Sequence, residues 1–319
     1  MYRVEVKKIL NTDKFRPAAV HFTKYGYYTT APKGTTAFYD YWDEETKRCL
    51  NGYDTGDGDR ISGYFYFYLN YCPIYRLINN ATTGKSERIK DFPVFYDYDK
   101  AYFDALEEAE RVGKHLVVIK KRGAGYSFKG GSMLCRNFYL IPGSKSYAIA
   151  SEQEFLIKDG LLTKAWEIMD FVDEHTAWYK KRQKVDKSTH KRASAVVDKE
   201  GVKVEIGYKS EIIGVTLKND INKAVGKRGK LILWEEGGKF SGLKTAWLKA
   251  RPSVEDTDHK AFGLMVAYGC VCAGTKVWNN SGNLVNIEAL KQAEGIIGYN
   301  TFCSERQKIE AIKDHNFPI

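Results

Sequence analysis

A short apolar segment followed by a glycine-containing loop constrains the fold of this chain more than any other feature. Residues 116–119 read LVVI, and residues 120–127 read KKRGAGYS. An amphipathic helix is predicted at residues 98–113, before the apolar segment, and a second helix is predicted to begin near Ser127. A strand, a glycine loop and a helix in this order are typical of a phosphate-binding loop. We therefore expect an α/β protein with a mostly parallel sheet flanked by helices.

The loop departs from the usual pattern G-x-x-x-x-G-K-[ST] in the position of its lysine. Gly125 takes the second glycine and Ser127 the Mg²⁺-binding hydroxyl, whereas Tyr126 stands in the lysine position and Lys120 in that of the first glycine. Glycine-loop N–H groups and a helix start bind anions, and any of three long cationic side chains could reach the phosphates. The predicted phosphate-binding residues are Lys120, Lys121, Arg122, Gly123, Ala124, Gly125, Tyr126 and Ser127. An ordinary glycine-rich turn after a strand is the alternative.

A second apolar segment ends in two acidic residues. Residues 231–234 read LILW and are followed by Glu235 and Glu236. This is the Walker B pattern, in which Glu235 is predicted to hold Mg²⁺ and Glu236 to orient and deprotonate the attacking water. The expected cofactors are therefore ATP and Mg²⁺. A buried strand with a charged exit loop is the alternative.

Together with two further segments, these motifs resemble the large terminase subunits of tailed bacteriophages, which are ATP-driven DNA-packaging motors. Residues 60–74 are similar to a block that precedes the phosphate loop in one terminase branch, and residues 231–240 are similar to the Walker B region of the family. Residues 264–269 are similar to the strand that leads into motif III. The resemblance extends over residues 30–269 and implies a P-loop NTPase domain of the ASCE type.

The resemblance also implies partners. These are double-stranded DNA, a portal protein, a small terminase subunit and further copies of the chain in a ring, at the viral procapsid in the host cytoplasm and without a membrane. The nuclease domain of the family normally follows the ATPase and is not expected in this chain. Two other classes stay open: a helicase-like DNA-dependent P-loop ATPase, and a non-catalytic nucleic-acid-binding protein with a degenerate nucleotide site.

The family usually continues motif III with Thr-Gly-Gly, but here Gly269 is followed by CVCAGTKVW. This segment is similar to the first block of an intein, in which the nucleophilic cysteine comes first and a threonine sixth. Counting from Cys270 puts Thr275 sixth. The resemblance makes Cys270 the nucleophile of an N-to-S acyl shift at the Gly269–Cys270 amide. No Thr-x-x-His block follows Cys270, and the sequence does not end on a His-Asn pair, so we do not expect this chain to splice by itself.

Three domains follow from these resemblances. Residues 1–75 are an N-terminal region leading into the ATPase, residues 76–269 are the P-loop ATPase domain, and residues 270–319 are the N-terminal fragment of a Hint-type intein, small and mostly β. The alternatives for the last segment are ordinary cysteines and a zinc site, although the zinc ligands would lack the short regular spacings of zinc knuckles. These ligands would be Cys270, Cys272, Cys303 and His315.

The formal net charge of +10 points towards a polyanionic partner. A basic stretch at residues 178–192, with its cations at positions 180–192, would give salt-sensitive, sequence-independent affinity for nucleic acid, unless it is a solvated loop without a ligand. The DNA-binding candidates are Lys180, Lys181, Arg182, Lys184, Lys187, Lys191 and Arg192. Six cysteines without a signal sequence fit a reducing compartment, and no apolar run approaches the ~18 residues of a membrane span, so we expect a soluble protein.

Three further elements are predicted from periodicity. Residues 64–69 alternate tyrosine with phenylalanine or leucine, and this pattern favours a half-buried strand over residues 64–71. Residues 202–206 alternate with period two and are predicted to form a hairpin with residues 212–217. Residues 161–179 are predicted to form a helix.

Overall fold

The computed structural model describes residues 11–79, 84–120, 123–218, 220–240, 242–258 and 260–269, and the strands at 276–278, 284–286, 296–299 and 306–309. The chain divides into two compact units, Met1–Gly269 and Cys270–Ile319. The first unit contains the helices and the central sheet. In the second unit, the described residues form two antiparallel hairpins.

The described helices all belong to the first unit. They are α1 (Pro17–Tyr25), α2 (Thr36–Asn51), α3 (Gly63–Tyr71), α4 (Asp97–Arg111), α5 (Tyr126–Leu140), α6 (Glu154–Ile157), α7 (Leu161–His175) and α8 (Leu243–Ala250). Short 3₁₀ helices cover Asp13–Phe15, Ile221–Ala224, Gly237–Lys239 and Arg251–Ser253. Within the described residues, no helix has the length and apolar character needed to cross a membrane.

The strands of the first unit form one large sheet and three small ones. In chain order they are β1 (Tyr53–Asp54), β2 (Arg60–Ile61), β3 (Ile74–Asn79), β4 (Ser86–Asp91), β5 (Leu116–Ile119), β6 (Lys145–Ala150), β7 (Val185–Lys187), β8 (His190–Arg192), β9 (Ala195–Lys199), β10 (Val202–Ile206), β11 (Glu211–Thr216), β12 (Leu231–Trp234) and β13 (Leu264–Gly269). The second unit contains β14 (Lys276–Trp278), β15 (Leu284–Asn286), β16 (Ile296–Tyr299) and β17 (Arg306–Ile309).

The large sheet has seven strands in the order β5-β13-β12-β6-β11-β8-β7. The first five strands run parallel, whereas β8 and β7 are antiparallel to their neighbours. The predicted α/β fold with a mostly parallel sheet is therefore confirmed. Because parallel strands end at the same edge, the loop after β5 and the acidic residues after β12 lie at one edge of the sheet.

Two apolar cores cover the faces of the sheet. Leu231 and Leu233 of β12 pack in the larger core with helices α3, α4, α5 and α7, and Ile232 and Trp234 pack in the smaller core with α8. Side chains of a strand alternate between its two faces, so a strand that is apolar at every position needs cover on both sides. All four residues of β12 are buried accordingly. Because β12 is buried on both faces, it determines the position of Glu235, the residue that directly follows it.

Two predictions of local structure were wrong. Residues 64–71 form helix α3, in which every residue is buried and the Ser62 side chain caps the first turn by accepting from the Phe65 N–H. Because every side of α3 is buried, the alternation of its residues did not distinguish a buried face from an exposed one. The predicted hairpin is also absent from this region, because β10 pairs with β9 and β11 joins the main sheet in parallel with β6.

Candidate active site

The phosphate-loop candidate lies between β5 and α5, as the sequence predicted. The N–H of Lys120 donates a hydrogen bond to the carbonyl of Gly269 at the end of β13 over 3.1 Å. Gly123 and Gly125 both have left-handed backbones, with φ of +80° and +71°, and a Cβ built on either would meet no atom within 4 Å. The loop therefore has glycines where its conformation needs them and open space beside them. Lys121 and Arg122 lie outside the described residues.

Helix α5 begins directly after this loop. Its first residue is Tyr126, and Gly125 precedes it as the cap residue. The first N–H groups of a helix have no partner within the helix and carry its positive dipole end. The predicted anion site therefore has both of its backbone parts, the glycine loop and the helix start, in one place.

The hydroxyl of Ser127 and the carboxylate of Glu235 meet at the sheet edge. Ser127 Oγ donates to Glu235 Oε1 over 2.8 Å. Burial raises the pKa of the Glu235 carboxyl, while Tyr268, Ser127 and Lys120 lower it. Glu235 Oε2 is buried and has no hydrogen-bond partner among the described residues. A hydroxyl, a carboxylate oxygen and an unpartnered second oxygen are a donor set that fits Mg²⁺.

The first residue of the loop and the second acid form an ion pair. Lys120 Nζ lies 2.9 Å from Glu236 Oε1, and their side chains are 8% and 26% exposed. The backbone of Glu236 is left-handed, with φ 51° and ψ 50°. This conformation costs a residue with a side chain about 1 kcal/mol or more. This turn directs the Glu236 carboxylate towards Lys120, the first residue of the glycine loop.

A buried lysine beneath the loop was not predicted from the sequence. Lys129 Nζ donates to the carbonyl of Ala124 over 2.8 Å, forms an ion pair with Asp99 of α4, and lies 4.2 Å from the centre of the Tyr126 ring. Burial raises the pKa of Asp99 to about 6 and lowers the pKa of Lys129. The available signal was a charged residue among the apolar and small residues of α5. Such a residue needs a buried partner.

Tyr268 of β13 completes the surroundings of Glu235. Its side chain is 1% exposed, and its hydroxyl has no hydrogen-bond partner among the described residues, although it is near enough to lower the pKa of Glu235. Gly130 of α5 makes room for it, since a Cβ there would lie 2.4 Å from the hydroxyl oxygen. Tyr268 was part of the predicted motif III strand but was not predicted as a site residue.

The basic stretch at residues 180–192 is largely neutralised by nearby carboxylates. Arg182 pairs with Asp173 at 2.6 Å, Lys184 with Glu205 at 2.7 Å, and Lys191 with Asp186. Arg192 contacts two carboxylates, those of Glu205 and Glu211. Lys181 and Lys187 are exposed, and Lys180 lies over the ring of Tyr208. Four of the seven DNA-binding candidates therefore have intramolecular partners, and their role stays a prediction.

The residues predicted for splicing follow β13 in the sequence. Cys270 and Thr275 lie outside the described residues, as do the alternative zinc ligands Cys272, Cys303 and His315. The last described residue before them is Gly269. A Cβ on Gly269 would lie 2.6 Å from the Gly238 nitrogen, so β13 ends in close backbone contact with the turn after Glu236.

Comparisons with known proteins identify structural neighbours. No protein-family model matches the sequence, and no curated protein matches it. Solved structures similar to it include the large terminase ATPase domain of Thermus phage P74-26, once as an arginine-to-alanine mutant (11% identity, TM-score 0.41) and once without that mutation (12%, 0.33). The large terminase of bacteriophage HK97 is another (12%, 0.40).

The chain covers less than two thirds of each of these structures. The similar regions comprise 55%, 48% and 66% of this chain and 65%, 58% and 38% of the respective neighbours. At such identities the likeness concerns the fold alone.

Proposed function

We propose that residues 76–269 are the ATP-hydrolysing motor segment of a viral DNA-packaging terminase large subunit, with residues 1–75 leading into it. The observation that carries this proposal is the meeting of two distant motifs. Ser127 contacts Glu235, 108 residues away, and Lys120 contacts Glu236, 116 residues away. A glycine-rich turn and a charged exit loop without a common role would have no reason to pair hydroxyl with acid and cation with acid.

Nucleotide binding follows from the loop and the helix start. The N–H groups of residues 123–127 would hold the β- and γ-phosphates, and Lys120 would supply positive charge, with Lys121 and Arg122 as further candidates. Ser127 and Glu235 would hold Mg²⁺. When bound, this ion would neutralise charge that develops on the phosphoryl group in transfer.

Glu236 would orient the attacking water and take up its proton. The ion pair with Lys120 holds the Glu236 carboxylate at the front of the loop, and the left-handed backbone fixes the turn that carries it. Positioning and charge stabilisation account for most of the catalysis of phosphoryl transfer, so a base held by one cation and one strained turn suits this chemistry.

The remaining roles rest on the sequence resemblance. In a packaging terminase the partners would be double-stranded DNA, a portal protein, a small terminase subunit and other copies of the chain in a ring, at the procapsid in the host cytoplasm. Residues 270–319 would be the N-terminal fragment of an intein with Cys270 as its nucleophile and Thr275 in its first block. The division of the chain after Gly269 supports that boundary.

The variant Glu236→Gln tests the catalytic assignment. It keeps the shape of the side chain but cannot accept a proton, so we expect at least ~100-fold slower ATP hydrolysis with nucleotide binding retained. Glu44→Gln, an exposed acid of α2, is the matched control and should hydrolyse ATP as the unmodified chain does. Unchanged ATP hydrolysis in Glu236→Gln would contradict the assignment of Glu236 as the catalytic base.

Binding measurements test the nucleotide site without turnover. Titration of a fluorescent ATP analogue should show Mg²⁺-dependent binding that is weakened by Lys120→Ala and by Glu235→Gln. Failure to bind ATP with Mg²⁺, together with salt-sensitive DNA binding, would favour a non-catalytic nucleic-acid-binding protein with a degenerate nucleotide site. Displacement of one strand from a duplex during hydrolysis would instead favour a helicase-like enzyme.

A further inference from the structure

Two lysines line a groove at the carboxyl edge of the sheet, and three more belong to the 3₁₀ helix Ile221–Ala224 and to α8 beside it. The groove encloses about 430 Å³, and its walls come from the segments that follow β6, β11 and β12. Phe155, Ile221 and Phe240 contribute apolar parts of these walls. We call the surface the lysine groove and define it by Lys218, Lys223, Lys239, Lys244 and Lys249.

Contacts bring these lysines together. Lys218 and Lys239 line the groove directly. Lys223 belongs to the 3₁₀ helix Ile221–Ala224, whose first residue also lines the groove. Lys244 and Lys249 belong to α8, and Lys249 Nζ donates to Oδ1 of Asn222 in that 3₁₀ helix over 2.6 Å. Two positive charges therefore lie in the groove itself, and the other three lie on the two helices that adjoin it.

The charges of the lysine groove are less neutralised than those of residues 180–192. Each of its lysines is exposed, and within the described part of the chain none has a carboxylate within ion-pair distance. Lys239 instead lies over the ring of Phe155, 5.7 Å from its centre. Two acids are nearby, Glu152 in the wall and Asp220, whose side chain accepts from the Asn222 N–H. Five lysines against two acids leave a positive surface.

We infer that the lysine groove contacts the phosphate backbone of double-stranded DNA. The inference rests on the proposed motor function and names the surface that would grip the substrate. Flexible, exposed lysines bind phosphates as point charges and read no base, which suits a protein that moves along any sequence. The basic stretch at residues 180–192 is the sequence-based candidate, but four of its cations are already paired with carboxylates.

The position of the groove links it to the proposed catalytic base. Lys239 ends the 3₁₀ helix that directly follows Glu236, and its N–H donates to the Glu236 carbonyl over 2.8 Å. A phosphate held by Lys239 therefore acts on the same short turn that carries the Glu236 carboxylate. On the far wall, the N–H of Lys218 donates to the Ser151 carbonyl over 2.8 Å, which ties that wall to the end of β6.

Three variants, each with four lysines changed to glutamine, test the inference. The groove variant leaves Lys249 in place because Lys249 donates a hydrogen bond to Asn222. It changes Lys218, Lys223, Lys239 and Lys244. The stretch variant does the same at Lys181, Lys184, Lys187 and Lys191, and the control variant at the exposed residues Lys33, Lys158, Lys199 and Lys203. Each full-length chain is titrated with a fluorescent DNA duplex over a range of NaCl concentrations. Mg²⁺-dependent ATP binding is measured on the same samples.

We expect the groove variant to bind duplex at least ~10-fold more weakly at low salt. The slope of log affinity against log salt should fall by about 0.9 for each phosphate that a lysine no longer neutralises, or up to about 3.6 for four. The control variant should stay within about twofold of the unmodified chain, and all variants should bind ATP equally.

Two outcomes would overturn the inference: a groove variant that binds duplex like the control, or a stretch variant that alone loses binding. The ATP measurement separates this failure from failure of the proposed function. ATP binding without duplex binding in the unmodified chain removes the groove but keeps the nucleotide site. The opposite result is also possible: the unmodified chain binds no ATP, and duplex binding is lost only in the groove variant. That result would keep the groove and remove the nucleotide site.

Discussion

Ser127 Oγ, in the first turn of α5, donates a hydrogen bond to Oε1 of Glu235 at the end of β12 over 2.8 Å. The pair offers a hydroxyl and a carboxylate to one Mg²⁺ ion. We therefore predict that Ser127→Ala weakens ATP binding at least ~10-fold when Mg²⁺ is present and much less when it is absent. Ser127→Thr, which keeps the hydroxyl, should retain the Mg²⁺ dependence. Fluorescence titration with an ATP analogue measures both.

Ser132 provides the matched control for that experiment. It lies in the same helix, and its hydroxyl donates to the Lys129 carbonyl over 2.7 Å rather than to an acid of the site. Ser132→Ala should leave the Mg²⁺ dependence of ATP binding unchanged. Equal losses in the alanine variants of Ser127 and Ser132 would attribute the effect to helix α5 and contradict a metal-binding role.

The buried ion pair of Lys129 and Asp99 is predicted to stabilise the fold and the glycine loop, which Lys129 contacts at the Ala124 carbonyl. Breaking a buried ion pair by removing one partner typically destabilises a protein by about 3–5 kcal/mol, so Asp99→Asn and Lys129→Met should both lower the free energy of unfolding by that order. Urea denaturation measures this change. The two side chains are almost fully buried, and removal of either leaves the other without its charge partner.

ATP affinity distinguishes the two variants. Lys129→Met also removes the hydrogen bond to the Ala124 carbonyl in the loop, whereas Asp99→Asn retains it. At a temperature where both are folded, Lys129→Met should therefore bind ATP more weakly than Asp99→Asn. If the two bind ATP equally, Lys129 stabilises the fold without positioning the loop.

The sequence predicted the parts of the site that follow from local patterns. The helix at 98–113, the strand before the loop and the start of α5 were confirmed as α4, β5 and α5. Local periodicity was sufficient for these features. The proximity of the loop to the acids after β12 was found only from the strand order in the structure.

Contacts between distant elements could not be predicted in the same way. The role of Lys129 depends on its ion pair with Asp99 in another helix. The role of Tyr268 depends on Glu235, which follows another strand. Neither pairing leaves a pattern in one segment. The pairing of β11 with β6 is likewise non-local and parallel, so the nearby β10 was a better partner on sequence separation alone.

The left-handed backbone at Glu236 predicts an unusual order of stability. Glu236→Ala and Glu236→Gly both remove the carboxylate and its pair with Lys120, but only glycine adopts φ 51° without strain. The glycine variant should therefore be more stable than the alanine variant by about 1 kcal/mol. Thermal or urea unfolding measures the difference. Both variants should lack ATP hydrolysis.

The reverse order of stability would contradict this account. An alanine variant more stable than the glycine variant would mean that the turn after β12 relaxes out of the left-handed region when the carboxylate is removed. Glu44 in α2 supplies the control, because glycine inside a helix should be less stable than alanine there by about 1 kcal/mol.

His115 predicts how stability depends on pH. Its Nδ1 accepts the N–H of Met265 over 3.2 Å, and its Nε2 lies 2.8 Å from Glu255 Oε1. Burial lowers the pKa of His115 below its ordinary value of 6.5, although Glu255 opposes this shift. As the pH falls, the unfolded chain therefore takes up this proton first. The stability contributed by neutral His115 is present above pH 6.5 and is lost as the pH falls towards the folded-state pKa.

Comparison with His115→Gln isolates this contribution. Glutamine does not titrate, so the stability difference between the unmodified chain and the variant should shrink between about pH 7.5 and about pH 5.5. Urea unfolding at several pH values measures it. His175→Gln is the parallel variant, since His175 packs on the rings of Phe22 and Phe171 rather than against a buried acid. A difference for His115→Gln that widens on acidification would show that Glu255 outweighs burial and that the imidazole is charged in the folded protein.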